Sequence, residues 1–258
     1  MKQSDSGGNM RLDQSTWREV EAYLQNNKGV ILPIGSTEQH GPTGLIGTDA
    51  LAADLIARGV GERASAMVAP PLNFGMAQHH MAFAGSMTLR PETMLLVLVD
   101  LLTSLARHGF TRCFIINGHG GNMATIMTAI SEMHARSSLG WAGMDGALRC
   151  RLKNWWTPKA VADLQTELFG DRDGTHATAS EIALIQFAYP DAIKTAPLDP
   201  ALAPKSRGFT DAHDFRERYP DGRVGSDPAL SSPEHGERLY HAAVDALAAD
   251  YLAFLGED

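Results

Sequence analysis

What most constrains this chain is the regular alternation of short apolar runs with longer amphipathic stretches, the pattern of βαβ units and a parallel sheet. GVILPI at residues 29–34 reads as a buried strand and is followed by a polar loop over 35–48. A helix, DALAADLIARGVGER, then opens on Asp49, with Thr48 as its N-cap. A second strand over 66–69 runs into Pro70-Pro71 and a loop carrying His79 and His80. Pro91 starts a long helix that ends on Gly109 and leads straight into a strand over 112–117. GHGG turns the chain into a helix over 122–138, and further helices are predicted near 158–168, 180–188 and 233–255. With no internal repeat and no linker, the reading is one α/β domain with a mostly parallel sheet flanked by helices.

A chain of 258 residues is near the upper limit for a single hydrophobic core. Its net charge of −8 argues against partners that present phosphates, so neither nucleic acid nor an anionic membrane surface is expected. No apolar run approaches the roughly 18 residues that a membrane span needs. The start, MKQSDSGG, lacks the apolar stretch of a signal peptide, so residues 1–9 read as a flexible leader and the protein as cytoplasmic. Cys113 lies in an apolar run and reads as a buried thiol; with Cys150 it is too little for a disulfide framework. One stretch resists the α/β pattern. Residues 197–232 are rich in Pro, Gly, Asp and Ser, and irregular segments of that length serve as lids, binding loops or subunit contacts.

Three polar clusters fall at strand ends or in the loops beyond them, where ligands bind in open parallel sheets. In Ser36-Thr37-Glu38-Gln39-His40, Glu38 and His40 alternate, so in extended chain a carboxylate and an imidazole leave one face together. Such a pair suits first-row metals. Asp49, at a helix start, offers a carboxylate able to bridge two cations, or is simply a cap. His119 sits in Asn117-Gly118-His119-Gly120-Gly121-Asn122, whose glycines let backbone approach a ligand. That turn also has an anion-cradling reading, but it lacks the Lys-Ser/Thr of a P-loop and the dinucleotide spacing. Two carboxylates and two imidazoles converging at strand ends favour a metal centre.

These residues resemble the creatininase (creatinine amidohydrolase) family. GVILPIGSTEQHGPTGLIGTDALAA, NFGMAQHHMAFAGSMTLRPET, FIINGHGGN and THATASEIAL are similar to successive segments of that family, and the likeness continues through DGRVGSDPALSSPEHGERLYHAAVDAL. The resemblance implies a Rossmann-like hydrolase domain over residues 10–258, two divalent metal ions (Zn, Mn or Fe) and a homo-oligomer, a hexamer. It assigns Glu38, Asp49 and His119 to one metal, and His40 and Asp49 to the other, with Asp49 bridging. In creatininase a glutamate follows two residues after the histidine of the Asn-Gly-His turn, where this chain has Gly121. Glu181, five residues after His176 in HATASE, is the replacement ligand or the cap of the helix beginning near Ser180. His176 resembles the family histidine that moves a proton, and His80 one that lines the substrate pocket. Asp171 and Asp173 read as loop polar groups.

The activity implied is metal-assisted hydrolysis of a C–N bond in a small amide, lactam or formamide, with His176 delivering a proton to the departing nitrogen. Trp155-Trp156 resembles the aromatic region that closes over the ring in creatininase. Yet Gly120 stands where creatininase has a tyrosine, and no Trp lies shortly before His176. Creatinine is therefore not the expected substrate. Two alternatives stand beside this reading: a metallopeptidase that trims a small modified peptide, and a non-catalytic phosphate-binding α/β protein.

Overall fold

The computed structural model describes residues 10–140 and 148–257; the leader expected at 1–9 lies outside them. Four strands, β1 (Gly29–Ile34), β2 (Met67–Val68), β3 (Arg112–Asn117) and β4 (Arg149–Asn154), form one sheet in the order β2-β1-β3-β4. Every pairing is parallel. All six residues of β1 are buried, as a run of GVILPI between two neighbours requires. Pro33 is tolerated in this inner strand because its carbonyl faces the Leu72 side, where β2 has already ended. Its missing N–H therefore costs no bond to β3.

Helices cover both faces. One core joins the sheet to α2 (Thr48–Ala64), α5 (Lys159–Phe169), α6 (Ala179–Ala188) and α8 (Pro233–Leu255), through Phe114, Ile56, Leu184 and Leu247 among others. The other joins it to α1 (Trp17–Asn26), α3 (Pro91–Arg107) and α4 (Met123–Ser138), through Leu24, Leu98, Ile115 and Ile130. This is the expected α/β domain. No described helix is long and apolar enough to cross a membrane.

The structure corrects several local expectations. Thr48 does not cap α2; it is the first helical residue, and its hydroxyl donates to the Leu45 carbonyl. The strand expected over 66–69 shortens to two residues. Two elements are unexpected from the sequence: α1, although Thr16 and Glu19 form a capping box there, and β4, whose sequence RCRLKN is that of a half-exposed edge strand. The irregular segment 197–232 carries a short helix, α7 (Ala212–Arg218). It is tied to itself by fully buried Arg223, whose guanidinium donates to Asp221 and to the carbonyls of Ser226 and Pro200.

Candidate metal centre and active site

The loops leaving the carboxyl ends of β1 and β3 meet the first turns of α2 and α6, and four chain segments deliver five side chains to one place. Glu38 and His40 come from the loop after β1, Asp49 from the start of α2, His119 from the turn after β3, and Glu181 from the first turn of α6. Gly118 permits this convergence. A Cβ there would lie 2.1 Å from the Asp49 carbonyl oxygen, so the turn after β3 packs directly on α2.

Asp49 is the hinge of the arrangement. Its Oδ1 lies 3.0 Å from His40 Nε2, and its Oδ2 lies 3.1 Å from His119 Nδ1. Glu38 Oε1 is 3.2 Å from the same His119 nitrogen, and Glu181 Oε1 is 3.8 Å from His40 Nε2. Two trios result, Glu38-Asp49-His119 and His40-Asp49-Glu181, with Asp49 giving one oxygen to each. Glu181 serves the helix as well: its Oε1 accepts from the Thr178 N–H at 2.5 Å in a capping box. The sequence left a cap and a candidate ligand as alternatives; the geometry accommodates both.

The ring nitrogens are oriented as ligands are. His40 Nδ1–H donates to the Glu38 carbonyl (3.0 Å) and His119 Nε2–H to the Met76 carbonyl (3.2 Å), because carbonyls only accept. The remaining nitrogen of each ring thus aims at carboxylate oxygens, a contact that requires a positive charge between them. Glu38 Oε1 and Asp49 Oδ2 are buried without a hydrogen-bond partner. Burial opposes charge on His40, yet Asp49, Glu181 and Glu38 carry its pKa up to about 10. His119 behaves likewise, reaching about 9 against its burial through Glu38 and Asp49. Burial lifts Glu38 and Glu181 each to about 7. Asp49 goes the other way: His40 and His119 outweigh burial and hold it well below the carboxylate range. Three carboxylates gathered this closely need compensating positive charge, and each trio offers donors that could hold a cation.

Beside the trios stand His80 and His176, stacked with ring centroids 4.2 Å apart. Burial, together with neighbouring imidazoles, lowers both pKa values and keeps these rings neutral. His176 Nδ1 is 3.8 Å from Glu38 Oε1, and His176 opens onto a cavity of about 600 Å³ above the trios. His80, expected on the cavity wall, has no exposed surface and lies beneath His176. The reason is local: residues 78–80 form a 3₁₀ turn, where successive side chains diverge by about 120°. His79 takes the wall and packs on Phe209.

Trp155 and Trp156 both border the cavity, but Trp155 is 1% exposed and belongs chiefly to the core. Gly120 is exposed on the rim, and a Cβ there would meet nothing within 4 Å. Gly121 is the opposite case, since a Cβ would lie 2.4 Å from His119 Nε2 and 2.9 Å from the Met76 carbonyl oxygen. With this backbone, position 121 cannot carry the carboxylate found there in creatininase.

Several site residues escaped the sequence reading. Phe209, Phe215 and Tyr219 of the irregular segment form a cavity wall, so that segment covers the site. Asp173 is no ordinary loop group: it borders the cavity, accepts from Ser180 N and Oγ, and is raised by burial to about 6. Gln39 reaches both His80 and His176. Its place between Glu38 and His40 was the available signal.

The family model described as Creatinine amidohydrolase matches residues 13–251. The chain is 29% identical over 245 residues to the creatinine amidohydrolase of Pseudomonas putida, covering 90% of this chain and 92% of that one. It is 28% identical over 253 residues to the mycofactocin precursor peptide peptidase of Mycolicibacterium smegmatis, covering 92% and 88% respectively. A solved manganese form of creatininase superposes with a TM-score of 0.81 at 26% identity, over 97% of this chain and 100% of that chain. Match and geometry agree on one conclusion: this chain belongs to the creatininase family, whose members are metal-dependent amidohydrolases acting on C–N bonds.

Proposed function

We propose that the two trios bind two divalent cations and that the enzyme cleaves a C–N bond of a small amide, lactam or formamide other than creatinine. The observation that carries this reading is the pair of trios sharing Asp49 on the floor of the cavity. Manganese and Zn-Zn forms are known among solved creatininases, and mixed nitrogen and oxygen donors suit Zn, Mn or Fe. When bound, the cations would polarise the amide carbonyl and acidify a water. His176, neutral and with Nδ1 turned toward Glu38, is placed to take the proton of that water and return it to the departing nitrogen. The aromatic side chains of the covering segment give the cavity an apolar wall beside the reacting groups.

Creatinine fits poorly. The open space at Gly120 removes one wall, and the cavity of about 600 Å³ is larger than a single-ring amide fills. That size, with the similarity to a peptide peptidase, supports the second reading, trimming of a small modified peptide. The cavity is bordered by Asp49, Asp173 and Glu181 and by no Lys or Arg among the described residues, which disfavours phosphate binding. A homo-oligomer, a hexamer by family likeness, accords with exposed Leu96, Leu101, Met123 and Met127 on α3 and α4; sedimentation velocity tests it.

The function is tested by elemental analysis of protein purified without added metal, followed by a hydrolysis screen over lactams, N-formyl compounds and short peptides, with creatinine included. About two equivalents of metal and turnover of a non-creatinine amide support the reading. No metal after reconstitution, or creatinine turnover with kcat/KM of about 10⁴ M⁻¹s⁻¹ or more, overturns it.

Two substitutions probe the geometry. His40→Ala should release one cation and leave the other on Glu38, Asp49 and His119; two tightly held ions and full activity would show that the division into trios is wrong. Gly121→Ala should push His119 off the Met76 carbonyl and weaken metal binding about 10–100-fold, the usual effect of losing a partner behind a ligand. Gly120→Ala, facing open space, should leave affinity unchanged. Equal affinities for the two variants would contradict this account.

A further inference from the structure

We propose that Gln39 is a positioning residue that fixes the ring tautomers of His80 and His176. Gln39 is buried, and its Oε1 accepts from the Gly41 N–H at 2.8 Å, which identifies that atom as the oxygen. Its Nε2 therefore carries two hydrogens, and three atoms surround it: the Gly222 carbonyl oxygen at 3.0 Å, His80 Nδ1 at 3.0 Å and His176 Nε2 at 2.8 Å.

The assignment follows from what each neighbour can do. The Gly222 carbonyl only accepts, so it takes one hydrogen. His176 Nε2 also lies 2.9 Å from the backbone carbonyl of Gln39, which likewise only accepts; a proton on Nε2 pairs with that carbonyl, while the amide nitrogen 2.8 Å away turns its hydrogens to its other neighbours. That leaves His80 Nδ1 to accept the second amide hydrogen. His80 then bears its proton on Nε2, which faces Glu38 Oε1 at 3.2 Å without the alignment of a hydrogen bond. His176 keeps its lone pair on Nδ1, the atom 3.8 Å from Glu38 Oε1. One residue thus turns an N–H of the first histidine and a lone pair of the second toward Glu38, the first through its side chain and the second through its own carbonyl. The same amide anchors the covering segment through Gly222, where a Cβ would lie 1.9 Å from Gln39 Oε1.

The catalytic consequence rests on the proposed role of His176, but the tautomers can be read without any hydrolysis. Two-bond proton–nitrogen correlation spectra of metal-free protein with ¹⁵N-labelled histidine distinguish the two neutral forms, and single histidine substitutions assign the signals. The parent should show both His80 and His176 protonated on Nε2. Gln39→Glu replaces the two donors by acceptors, so His80 should move its proton to Nδ1 while His176 stays as it was. With the proton gone from His80 Nε2, a lone pair instead of an N–H faces Glu38 Oε1 at 3.2 Å, and affinity for added Zn²⁺ should fall about 10–100-fold. Gln39→Met, which neither donates nor accepts, should leave His80 a mixture of tautomers and serves if the first variant does not fold. A parent His176 protonated on Nδ1 overturns the proposal, as does a Gln39 variant in which the His80 tautomer and Zn²⁺ affinity are both unchanged. Failure to find a hydrolysed substrate would leave these spectra untouched and bear only on the proposed function.

Discussion

Asp49→Asn is expected to empty both metal positions and to abolish more activity than any other single change. Asp49 is the one residue common to both trios, with Oδ1 3.0 Å from His40 and Oδ2 3.1 Å from His119. An amide keeps the shape but loses the charge, and one of its ends carries hydrogens rather than a lone pair. It cannot bridge, and two divalent ions at close range would face each other with less intervening negative charge. The loss should exceed the about 10–100-fold effect of removing a residue that merely supports a ligand. Metal content and melting temperature, measured with and without added Zn²⁺, check this. Added metal should raise the melting temperature of the parent and not of the variant, since only a folded-state ligand stabilises by mass action. If Asp49→Asn retains two ions and appreciable amidase activity, Asp49 is only a polar residue of a helix start and the centre must be redrawn around Glu181.

His176→Ala should lower kcat by about 10²–10⁴-fold, the span of general acid–base catalysis, while both metals remain bound. The second half of that statement is the sharper one. Glu38, His40 and His176 also lie close enough together to form a ligand group, so the geometry contains a competing assignment in which His176 is itself a ligand. The charge count argues against it: that group holds one carboxylate and lacks Asp49, whereas each of the other two holds two carboxylates and shares Asp49. A variant that loses one metal equivalent along with activity would make His176 a ligand. A variant that keeps both metals and full kcat would remove it from the mechanism.

Much of this molecule is legible in its sequence because the relevant signals are local. GVILPI must be buried on both faces, Pro91 and Gly109 bracket a helix, and glycines around His119 announce a backbone that approaches something closely. The candidate ligands were legible for the same reason, each being a polar residue set at the end of an apolar run. What was not legible depends on partners distant in sequence. RCRLKN becomes a strand only because β3 pairs with it residue for residue, from Arg112 with Arg149 to Asn117 with Asn154. His79 and His80 are neighbours in the chain, and only the turn that carries them decides which one reaches the cavity. Phe215 and Tyr219 are ordinary residues of a short helix until the segment folds back over the site. Gln39 stood in plain view, but its role lies in contacts 41 and 137 residues away along the chain.

The groups around Asp49 are each held in place by the polypeptide itself. Glu38 accepts from the Ser36 hydroxyl, His40 and His119 hang from backbone carbonyls, and Glu181 is pinned by the N–H of Thr178. The cage stands assembled before its ions arrive, and its imidazole and carboxylate donors are a set that zinc, manganese and iron all accept. The ion found in a purified sample should then follow the growth medium and the supply of the producing cell. A preparation that is sluggish in one host can become active after nothing more than dialysis against a different metal.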